Sequence, residues 1–335
     1  MIAAKVIMIT GAAGSIGGEI VRQLSMFKPK KLILLDNAET PLHNMKLELT
    51  EKFQNIEYAF VIADVRMRER IEAVFEENKP NVVFHAAAYK HVPLMEDNPS
   101  ECVLANVLGS RNVADMAVKY GVESFVMVST DKAVNPTNVM GCSKRIAEIY
   151  IQSLSEKLAK QTGKTPRFIT TRFGNVLGSN GSVIPLFRQQ IEKGGPVTVT
   201  HPDIIRYFMT IPEACQLVLE AGTIGNGGEI FIFDMGMPVK IADLAKKMIR
   251  LSGLEPGVDI QIEYTGLRPG EKLYEELLNS EELVKPTSHD KIMIANVRRY
   301  EYDEMLPMYD KLFEYAQENQ NYLVVRTMKE MVPEY

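Results

Sequence analysis

The residues best suited to chemistry lie in one stretch, 129–144, which reads STDKAVNPTNVMGCSK. An apolar run at residues 125–128 precedes this stretch and predicts a buried parallel strand. Thr130, Asp131 and Lys132 would then follow the carboxyl end of that strand, where open α/β sheets bind their ligands. We therefore expect a hydroxyl, a carboxylate and an amine at one edge of the sheet.

The second part of the same stretch predicts a helix. Pro136 cannot lie inside a helix, whereas residues 140–148 favour one. Met140 and Lys144 are four positions apart and would share one face of it. A thioether has no titratable proton, so Met140 cannot act as a base, and it could equally be a core residue that fills a gap.

A glycine-rich segment near the start predicts a dinucleotide site. Residues 5–9 form a strand pattern, residues 10–17 read TGAAGSIG, and an amphipathic helix pattern follows. Glycines at this spacing let a pyrophosphate approach the amides at a helix N-terminus. The residues expected at the cofactor are Gly11, Gly14, Ser15, Ile16 and Gly17.

An acidic residue selects between the two nicotinamide cofactors. Asp36 ends the second predicted strand, nineteen positions after Gly17. An acid at this offset binds the ribose hydroxyls and repels a 2′-phosphate, and residues 37–39 add no cation. The pattern favours NAD over NADP. The alternative is that Asp36 only caps the next helix.

Two further strand ends belong to the same predicted edge. Residues 58–63 form a third strand, and residues 81–84 form a fourth that leads into His85, Ala86 and Ala87. The small alanines allow the cofactor backbone to pass closely, and we expect His85 to be a hydrogen-bonded strand-end residue. Lys90 and His91 come next, in a loop that either overhangs the site or is merely solvated.

The regular alternation of strands and helices predicts an α/β fold with a doubly wound parallel sheet. We place a cofactor-binding Rossmann domain at residues 1–172 and a smaller, mainly substrate-binding α/β region at residues 173–335. The strand pattern at residues 229–233 is expected to return to the main sheet. Residues 241–251 predict an amphipathic helix.

Polar residues of the second half suit a nucleotide diphosphate. Arginine guanidinium groups can fork onto phosphate, and a carboxylate can bind a ribose diol. Each residue alone is as readily an ordinary solvated group. The candidates are Asn175, Ser182, Arg206, Arg268 and Glu271.

Composition excludes several classes of protein. The chain of 335 residues has a net charge of -5, which gives no basic footprint for nucleic acid. Three cysteines and five histidines show no metal-ligand spacing, so no catalytic metal and a reducing cytoplasm are expected. No apolar run approaches the roughly 18 residues of a membrane span, so we expect no membrane contact by this chain itself.

Five motifs together resemble one family over nearly the whole chain. They are TGAAGSIG at residues 10–17, HAAAYKHVP at 85–93, STDKAVNPTN at 129–138, RFGNVLGSNGS at 172–182 and RPGEK at 268–272. The chain resembles the extended short-chain dehydrogenases, and within them the CapD-like UDP-N-acetylglucosamine 4,6-dehydratases of bacterial polysaccharide biosynthesis. Most short-chain dehydrogenases have tyrosine where Met140 stands. The likeness is closest to the methionine-containing branch, whose members carry an N-terminal membrane region, so this chain would be the catalytic domain of a protein anchored in the inner membrane.

The resemblance implies residue roles and a reaction. NAD would take hydride from C4 of the hexose, water would leave across C5 and C6, and hydride would return to C6. Asp131 would be the acid and Lys132 the base of the elimination, provided that their pKa values are moved toward neutrality. Thr130 or Asp131 would replace the missing tyrosine, and Lys144 would bind the nicotinamide ribose.

The resemblance also implies an adenine site and a mode of assembly. Asp64 and Val65, after the third strand, would hold the adenine. Family members often associate through helices that flank the active site, so we expect a homo-oligomer. Residues 146–158 are a candidate interface, with core packing as the alternative.

Several activities remain open from the sequence. The favoured reaction is dehydration of UDP-N-acetylglucosamine with retention of configuration at C5. A C5-inverting dehydratase is the nearest rival, and a UDP-sugar 4-epimerase would need no elimination pair. A non-catalytic protein that binds NAD or a nucleotide sugar would have no evident need for Asp131 and Lys132.

Overall fold

The main feature of the fold is a nine-stranded sheet. The computed structural model describes residues 2, 4–160, 165–276 and 283–335. The order of strands in the main sheet is β14-β15-β11-β6-β5-β4-β1-β2-β3, and three two-stranded sheets pair β10 with β7, β12 with β9 and β13 with β8. In chain order the strands are β1 (Val6–Thr10), β2 (Lys31–Asp36), β3 (Glu57–Ile62), β4 (Val82–His85), β5 (Ser124–Val128), β6 (Arg167–Arg172), β7 (Asn175–Leu177), β8 (Val197–Val199), β9 (Ile205–Arg206), β10 (Phe208–Thr210), β11 (Glu229–Phe233), β12 (Val239–Lys240), β13 (Ile262–Tyr264), β14 (Leu283–Pro286) and β15 (Ile292–Asn296).

Helices connect most of these strands and cover both faces of the main sheet. They are α1 (Ser15–Met26), α2 (Glu39–Lys52), α3 (Arg68–Asn78), α4 (Val92–Asp97), α5 (Pro99–Val103), α6 (Gly109–Lys119), α7 (Val139–Ala159), α8 (Val183–Glu192), α9 (Ile211–Ile224), α10 (Ile241–Leu251), α11 (Tyr302–Gln317) and α12 (Asn321–Met331). A π-helical turn, Leu104–Leu108, joins α5 to α6.

The topology confirms the predicted doubly wound sheet. Seven strands, from β3 through β1 and β4 to β11, are parallel, whereas β15 and β14 are antiparallel at one edge. The chain changes direction across the sheet between β1 and β4, and such a switch point opens a crevice at the carboxyl ends of the strands. β11 pairs with β6, as expected for residues 229–233.

The hydrophobic core lies on both faces of this sheet. The central strands are apolar at nearly every position because both of their faces are buried; Ile7, Met8 and Ile9 are all 0% exposed. A smaller third cluster, which includes Phe187, Val197 and Ile249 from α8, β8 and α10, forms a separate lobe.

The last two helices belong to the main body rather than to this smaller lobe. Tyr309 of α11 and Met328 of α12 join the core cluster that covers one face of the main sheet. They pack over α7, where the Tyr309 hydroxyl donates to the Ile146 carbonyl at 2.8 Å. Residues 146–154 of α7 are therefore buried within the chain, so core packing, and not a subunit interface, describes this part of the predicted oligomer surface.

The helices and the potential metal ligands of the described residues bear on two expectations from composition. Within those ranges, none of the helices has the length and apolarity needed to cross a bilayer. In the same part of the chain, no three histidine, cysteine or acidic side chains are grouped as metal ligands would be.

Candidate active site

The crevice at the switch point contains a large cavity of about 770 Å³. Its walls come from the glycine-rich loop after β1, the segments after β4 and β5, the first turns of α7 and the loop after β7. A smaller cavity of about 250 Å³ adjoins it and extends to Asp36 and Asp64. Because both cavities share Gly11, Gly14 and Ala86, they form one continuous groove.

The glycine-rich loop is shaped by close backbone approaches. Gly11 has φ +66°, and a Cβ there would lie 2.6 Å from the Ala87 nitrogen. A Cβ on Gly17 would lie 2.1 Å from the Gly11 carbonyl oxygen. α1 begins at Ser15 without a side-chain cap, so its first amides are available to an anion in the groove. This loop therefore has the close backbone packing and the uncapped helix start of an anion-binding loop.

Asp36 lies at the narrow end of the groove with its carboxylate oriented by two amides. Ala13 N and Ala38 N each donate to it at 2.9 Å. The carboxylate therefore links the glycine-rich loop to the turn before α2, and it also lines the small cavity. Asp36 does not cap α2, because the N-cap residue is Ala38 and no side-chain cap hydrogen bond is formed, so on the α2 side its carboxylate bonds only the turn before the helix.

Asp64 and Val65 line the same small cavity, together with Arg66, which sequence reasoning missed. The Arg66 guanidinium donates to both oxygens of Asp64 at distances from 2.7 to 3.0 Å and to Glu101 at 2.6 Å. Burial alone would raise the pKa of Asp64, but the hydrogen bonds and charge of Arg66 outweigh it and lower that pKa. The acid is thus ionised, with a cation beside it.

The residues after β5 form a compact hydrogen-bonded group. Thr130 Oγ1 donates to Asp131 Oδ1 at 2.9 Å, and Lys132 Nζ donates to the same oxygen at 3.0 Å. Thr130 and Lys132 line the large cavity, whereas the Asp131 side chain is fully buried behind them. Asp131 Oδ2 has no hydrogen-bond partner among the described residues and lies where a Cβ on Gly174 would approach within 3.0 Å.

Lys132 is surrounded by acceptors. Its Nζ lies 3.5 Å from Asn175 Oδ1 and 3.7 Å from Glu275 Oε1, besides its contact with Asp131. Burial lowers the pKa of Lys132, but the charges of Asp131 and Glu275 outweigh burial and raise it. The condition set for a base, a pKa moved toward neutrality, is therefore not met in the free protein, in which Lys132 carries its proton.

Met140 and Lys144 both line the cavity from the first turns of α7, as their spacing predicts. Lys144 Nζ donates to the Val128 carbonyl at 2.7 Å. Burial lowers the pKa of Lys144 to about 8, and the charge of Glu148 counters only part of this effect. Met140 is 3% exposed and also belongs to the main core, so it serves both as cavity wall and as packing residue.

A buried ion network behind Lys144 was not anticipated from the sequence. Glu148 accepts from the Ser129 hydroxyl at 2.7 Å and from two Arg172 nitrogens at 2.9 and 2.6 Å. Arg145 Nη1 lies 3.3 Å from the same carboxylate. A charged residue four positions after Lys144, on an otherwise buried helix, was the available signal. The network ties α7 to β6 and to the start of the reactive stretch.

A loop at residues 178–182 closes over the groove. Asn180 N donates to Ser15 Oγ at 3.2 Å, and Lys90 Nζ lies 3.5 Å from Ser179 Oγ. The His91 ring packs so closely on Gly181 that a Cβ there would lie 2.6 Å from it. Lys90 and His91 therefore do overhang the cavity, whose wall also includes Asn175 and Ser182.

Three of the predicted substrate residues do not line the cavity. Arg206 is 8% exposed and donates to the carbonyls of Ile205 and Lys272 at 2.7 and 2.8 Å. Glu271 lies 3.6 Å from the Arg206 guanidinium and accepts from the Arg268 backbone amide at 3.1 Å. The Arg268 side chain itself is exposed to solvent.

His85 has a structural environment. Its Nδ1 is 2.7 Å from Thr10 Oγ1, and its Nε2 is 2.9 Å from Ser110 Oγ. Complete burial, with a smaller contribution from the charge of Lys144, lowers the pKa of His85 to about 3. His85 is therefore a neutral strand-end residue, as expected.

A parallel sheet of this order, a glycine-rich loop at its switch point and a lysine on the helix behind the cavity define an extended short-chain dehydrogenase. The chain superposes on the X-ray structure of Pen from Bacillus thuringiensis with a TM-score of 0.78 and 36% identity, covering 88% of this chain and 89% of Pen. DesIV, a dTDP-glucose 4,6-dehydratase from Streptomyces venezuelae solved with NAD and TYD bound, shares the fold at a TM-score of 0.68 and 22% identity, covering 80% of this chain and 86% of DesIV.

The chain belongs to the polysaccharide biosynthesis protein family, whose profile matches residues 7–297. It is 57% identical to the capsular polysaccharide biosynthesis protein CapD of Staphylococcus aureus over 88% of this chain, and it spans 49% of the length of CapD. It is 35% identical to an inverting UDP-N-acetylglucosamine 4,6-dehydratase of Campylobacter jejuni, over 83% of this chain and 78% of that protein. It is 36% identical to a UDP-glucose 4-epimerase of Rickettsia rickettsii, over 84% of this chain and 80% of that protein.

Proposed function

We propose that this chain dehydrates UDP-N-acetylglucosamine to UDP-2-acetamido-2,6-dideoxy-4-keto-hexose, with NAD as its cofactor and with retention at C5. The observation that carries this proposal is the Asp131–Lys132 contact of 3.0 Å, with Lys132 on the wall of a cavity that continues into a dinucleotide groove. Family membership supports a role in bacterial polysaccharide or glycan biosynthesis.

The groove fits NAD by its own geometry. The cradle of Gly11, Gly14 and Gly17 suits the pyrophosphate, and Asp36 suits an unphosphorylated ribose. Asp64 and Val65 line the adenine end, and Lys144 faces the nicotinamide end beside Met140. When bound, the nicotinamide supplies the acceptor and donor of hydride.

The elimination needs an acid and a base, and the Asp131–Lys132 pair can supply both. In the free protein, Lys132 carries the proton. To become the base, Lys132 would release this proton to solvent, and Asp131, 3.0 Å away, would become the acid by taking the proton that leaves the C4 hydroxyl. Lys132 would then remove the C5 proton, and Asp131 would protonate the departing C6 hydroxyl. Asp131 must gain access to the sugar for this step, because its side chain is buried behind Thr130 and Lys132.

Thr130 takes the place that tyrosine has in other short-chain dehydrogenases. Its hydroxyl lines the cavity and already donates to Asp131. A sugar C4 hydroxyl that approaches Thr130 could pass its proton through this hydrogen bond to the carboxylate. Met140 would then shape the cavity wall and exclude water, and it would not transfer a proton.

The nucleotide diphosphate would lie toward the smaller lobe. Asn175, Ser182, Lys90 and His91 are on the cavity wall and would contact the sugar or its phosphates. Arg268 is exposed at the edge of this region and is free to turn toward a diphosphate, whereas Arg206 would first have to leave its carbonyl partners. With these movements, Arg206, Arg268 and the neighbouring Glu271 would contact the substrate.

The rival functions differ in what they require of the site. An inverting dehydratase uses the same elimination pair and differs in the face of C5 that is reprotonated. A UDP-sugar 4-epimerase, as in the Rickettsia relative, needs hydride transfer at C4 alone. A non-catalytic binding protein would bind NAD or a UDP-sugar without turnover.

One experiment separates these functions. The purified chain is incubated with UDP-N-acetylglucosamine in deuterated water, and the sugar is analysed by mass spectrometry and NMR. We expect loss of water with deuterium at C5, and ring couplings that report retained configuration. Inverted couplings would identify the rival dehydratase, and an epimerised sugar with no loss of water would identify the epimerase. An unchanged sugar, with NAD bound, would refute the catalytic proposal for this chain.

A further inference from the structure

A buried carboxylate outside the five sequence motifs joins two regions of the site. Glu275, whose side chain is 5% exposed, lies three residues beyond the RPGEK motif. Its Oε1 is 3.7 Å from Lys132 Nζ and 3.6 Å from Arg206 Nε. It therefore stands between the lysine of the reactive stretch and an arginine of the substrate region.

The charges around these groups alternate in sign. Asp131 and Glu275 face Lys132, and Asn175 adds a neutral acceptor at 3.5 Å. Arg206 faces Glu275 from one side and Glu271, at 3.6 Å, from the other. Each charge therefore has a neighbour of opposite sign, which offsets the free-energy cost of burying it. The residues form the row Asp131–Lys132–Glu275–Arg206–Glu271.

The backbone holds Glu275 in this position. The segment before it docks on the loop that follows Lys132: Thr137 Oγ1 and Asn138 Nδ2 donate to the Gly270 carbonyl at 3.1 and 3.0 Å. Lys272 Nζ donates to the Val134 carbonyl at 3.2 Å. These hydrogen bonds between the two loops place Glu275 beside Lys132.

We propose that Glu275 is a positioning residue that holds Lys132, in its cationic form, at the cavity wall and couples it to Arg206. The importance of this contact for turnover rests on the proposed dehydratase function, whereas the contact itself does not. Because Glu275 also pairs with Arg206, movement of Arg206 onto a diphosphate would change the field at Lys132. Substrate binding and the proton on the lysine would thereby be linked.

The first test measures Lys132 directly in the full chain. Lysines are reductively methylated with ¹³C-formaldehyde, the Lys132 signal is identified by its loss in Lys132→Arg, and its chemical shift is followed against pH. An opposite charge this close shifts a pKa by about 1 or more, so Glu275→Gln should lower the pKa of Lys132 by about 1. The matched control is Glu276→Gln, which removes a neighbouring charge that pairs with Lys272 instead. Equal titration of Lys132 in both variants would overturn the proposal.

A second variant covers the case in which Glu275→Gln does not fold. The charge of Arg206 lowers the pKa of Lys132, so Arg206→Gln should raise that pKa, opposite in sign to the first variant. An unchanged or lower Lys132 pKa in Arg206→Gln would contradict the coupled row.

Turnover adds a test of the functional role. If the chain is a dehydratase, the limb of its pH–rate profile that reports Lys132 should move to lower pH in Glu275→Gln and stay in place in Glu276→Gln. A profile unmoved by Glu275→Gln would refute the positioning role. If the wild-type chain shows no dehydration, the proposed function fails, and the NMR titration still decides the contact.

Discussion

Lys132 and Lys144 are amines on the wall of one cavity, yet their surroundings shift their pKa values in opposite directions. Two carboxylates face Lys132 and raise its pKa, whereas Lys144 has a carbonyl partner and a more distant carboxylate, so burial prevails and lowers its pKa to about 8. Residue type alone could not separate them. The difference suits the two proposed roles. Lys132 would carry a proton beside Asp131, and Lys144 would contact the cofactor.

Replacing Lys132 tests its proposed role in elimination. Lys132→Met should lower the rate of dehydration by about 10²–10⁴, the range that general acid–base groups contribute. NAD affinity should change little, because the glycine-rich cradle is untouched. Rates from single-turnover mass spectrometry and binding by calorimetry would be compared with those of Lys157→Met, a surface variant on α7. Dehydration by Lys132→Met at close to the wild-type rate would exclude Lys132 as the base.

Burial of Lys144 predicts a pH dependence of stability. Its pKa is about 8 in the folded chain and 10.5 in the reference state, so between these values the unfolded chain binds more protons and stability rises with pH. Below pH 8, the folded chain buries this amine in its charged form. This lowers the free energy of unfolding by up to about 3 kcal/mol. Lys144→Met lacks this cost, so its stability relative to wild type should be highest below pH 8 and should decline toward pH 10.5.

Urea unfolding without cofactor, at several pH values in that window, measures this difference. Other lysines titrate equally in both proteins and cancel. Parallel stability curves for wild type and Lys144→Met would show that Lys144 keeps an ordinary pKa.

At the scale of elements, α1 and α7 both contribute to the cavity wall, and both depend on what packs against them. α1 presents free amides to the groove because Gly17 lets it approach the Gly11 carbonyl. α7 carries Met140 and Lys144 on its first turns and is clamped by α11 and α12 along its length. The positions of the α1 amides and of Met140 and Lys144 therefore depend on how these helices pack.

A pair of neighbouring glycines in α1 tests the cradle. In Gly17→Ala the new Cβ would lie 2.1 Å from a backbone carbonyl, so the glycine-rich loop must shift. In the control, Gly18→Ala, the nearest atom is the flexible Met45 Cε at 3.0 Å. We expect NAD affinity by calorimetry to fall about 5- to 150-fold for Gly17→Ala, because overpacking costs about 1–3 kcal/mol, and to change little for Gly18→Ala. Similar NAD affinities for the two variants would argue against the proposed pyrophosphate site.

At the scale of the whole molecule, one groove extends from Asp36 and Asp64, past the glycine-rich loop, to the loop at residues 178–182. The loop at residues 178–182 contacts both Ser15 and the Lys90–His91 segment. Segments from both halves of the chain therefore line the same groove. Ligands in this groove should stabilise the entire fold, because they contact elements from both halves of the chain.

Thermal unfolding with each nicotinamide cofactor tests this expectation and the choice of cofactor. NAD at about 100 times its dissociation constant should add about 2.7 kcal/mol and raise Tm measurably. NADP at the same concentration should raise Tm far less, since Asp36 would face its 2′-phosphate. In Asp36→Ser the advantage of NAD should shrink. Equal stabilisation of the wild-type chain by both cofactors would refute the selection by Asp36.

Local patterns in the sequence determined the fold class and the location of the candidate site. Helix α10 was predicted at its observed bounds, β11 at residues 229–233, and β3 within one residue of Glu57–Ile62. Such patterns suffice because side-chain periodicity and glycine or proline spacing act over a few neighbouring residues. The same local logic located the reactive stretch at the end of β5.

Only the tertiary structure decided how the site residues are charged and which of them reach the cavity. Glu275 raises the pKa of Lys132 from a distant part of the chain, and Arg206 is held by backbone carbonyls. α11 and α12 cover the part of α7 that is a candidate interface from the sequence alone. Burial and electrostatic interactions depend on distances between residues that are remote in sequence. No local pattern records those distances, so they are set only when the chain has folded.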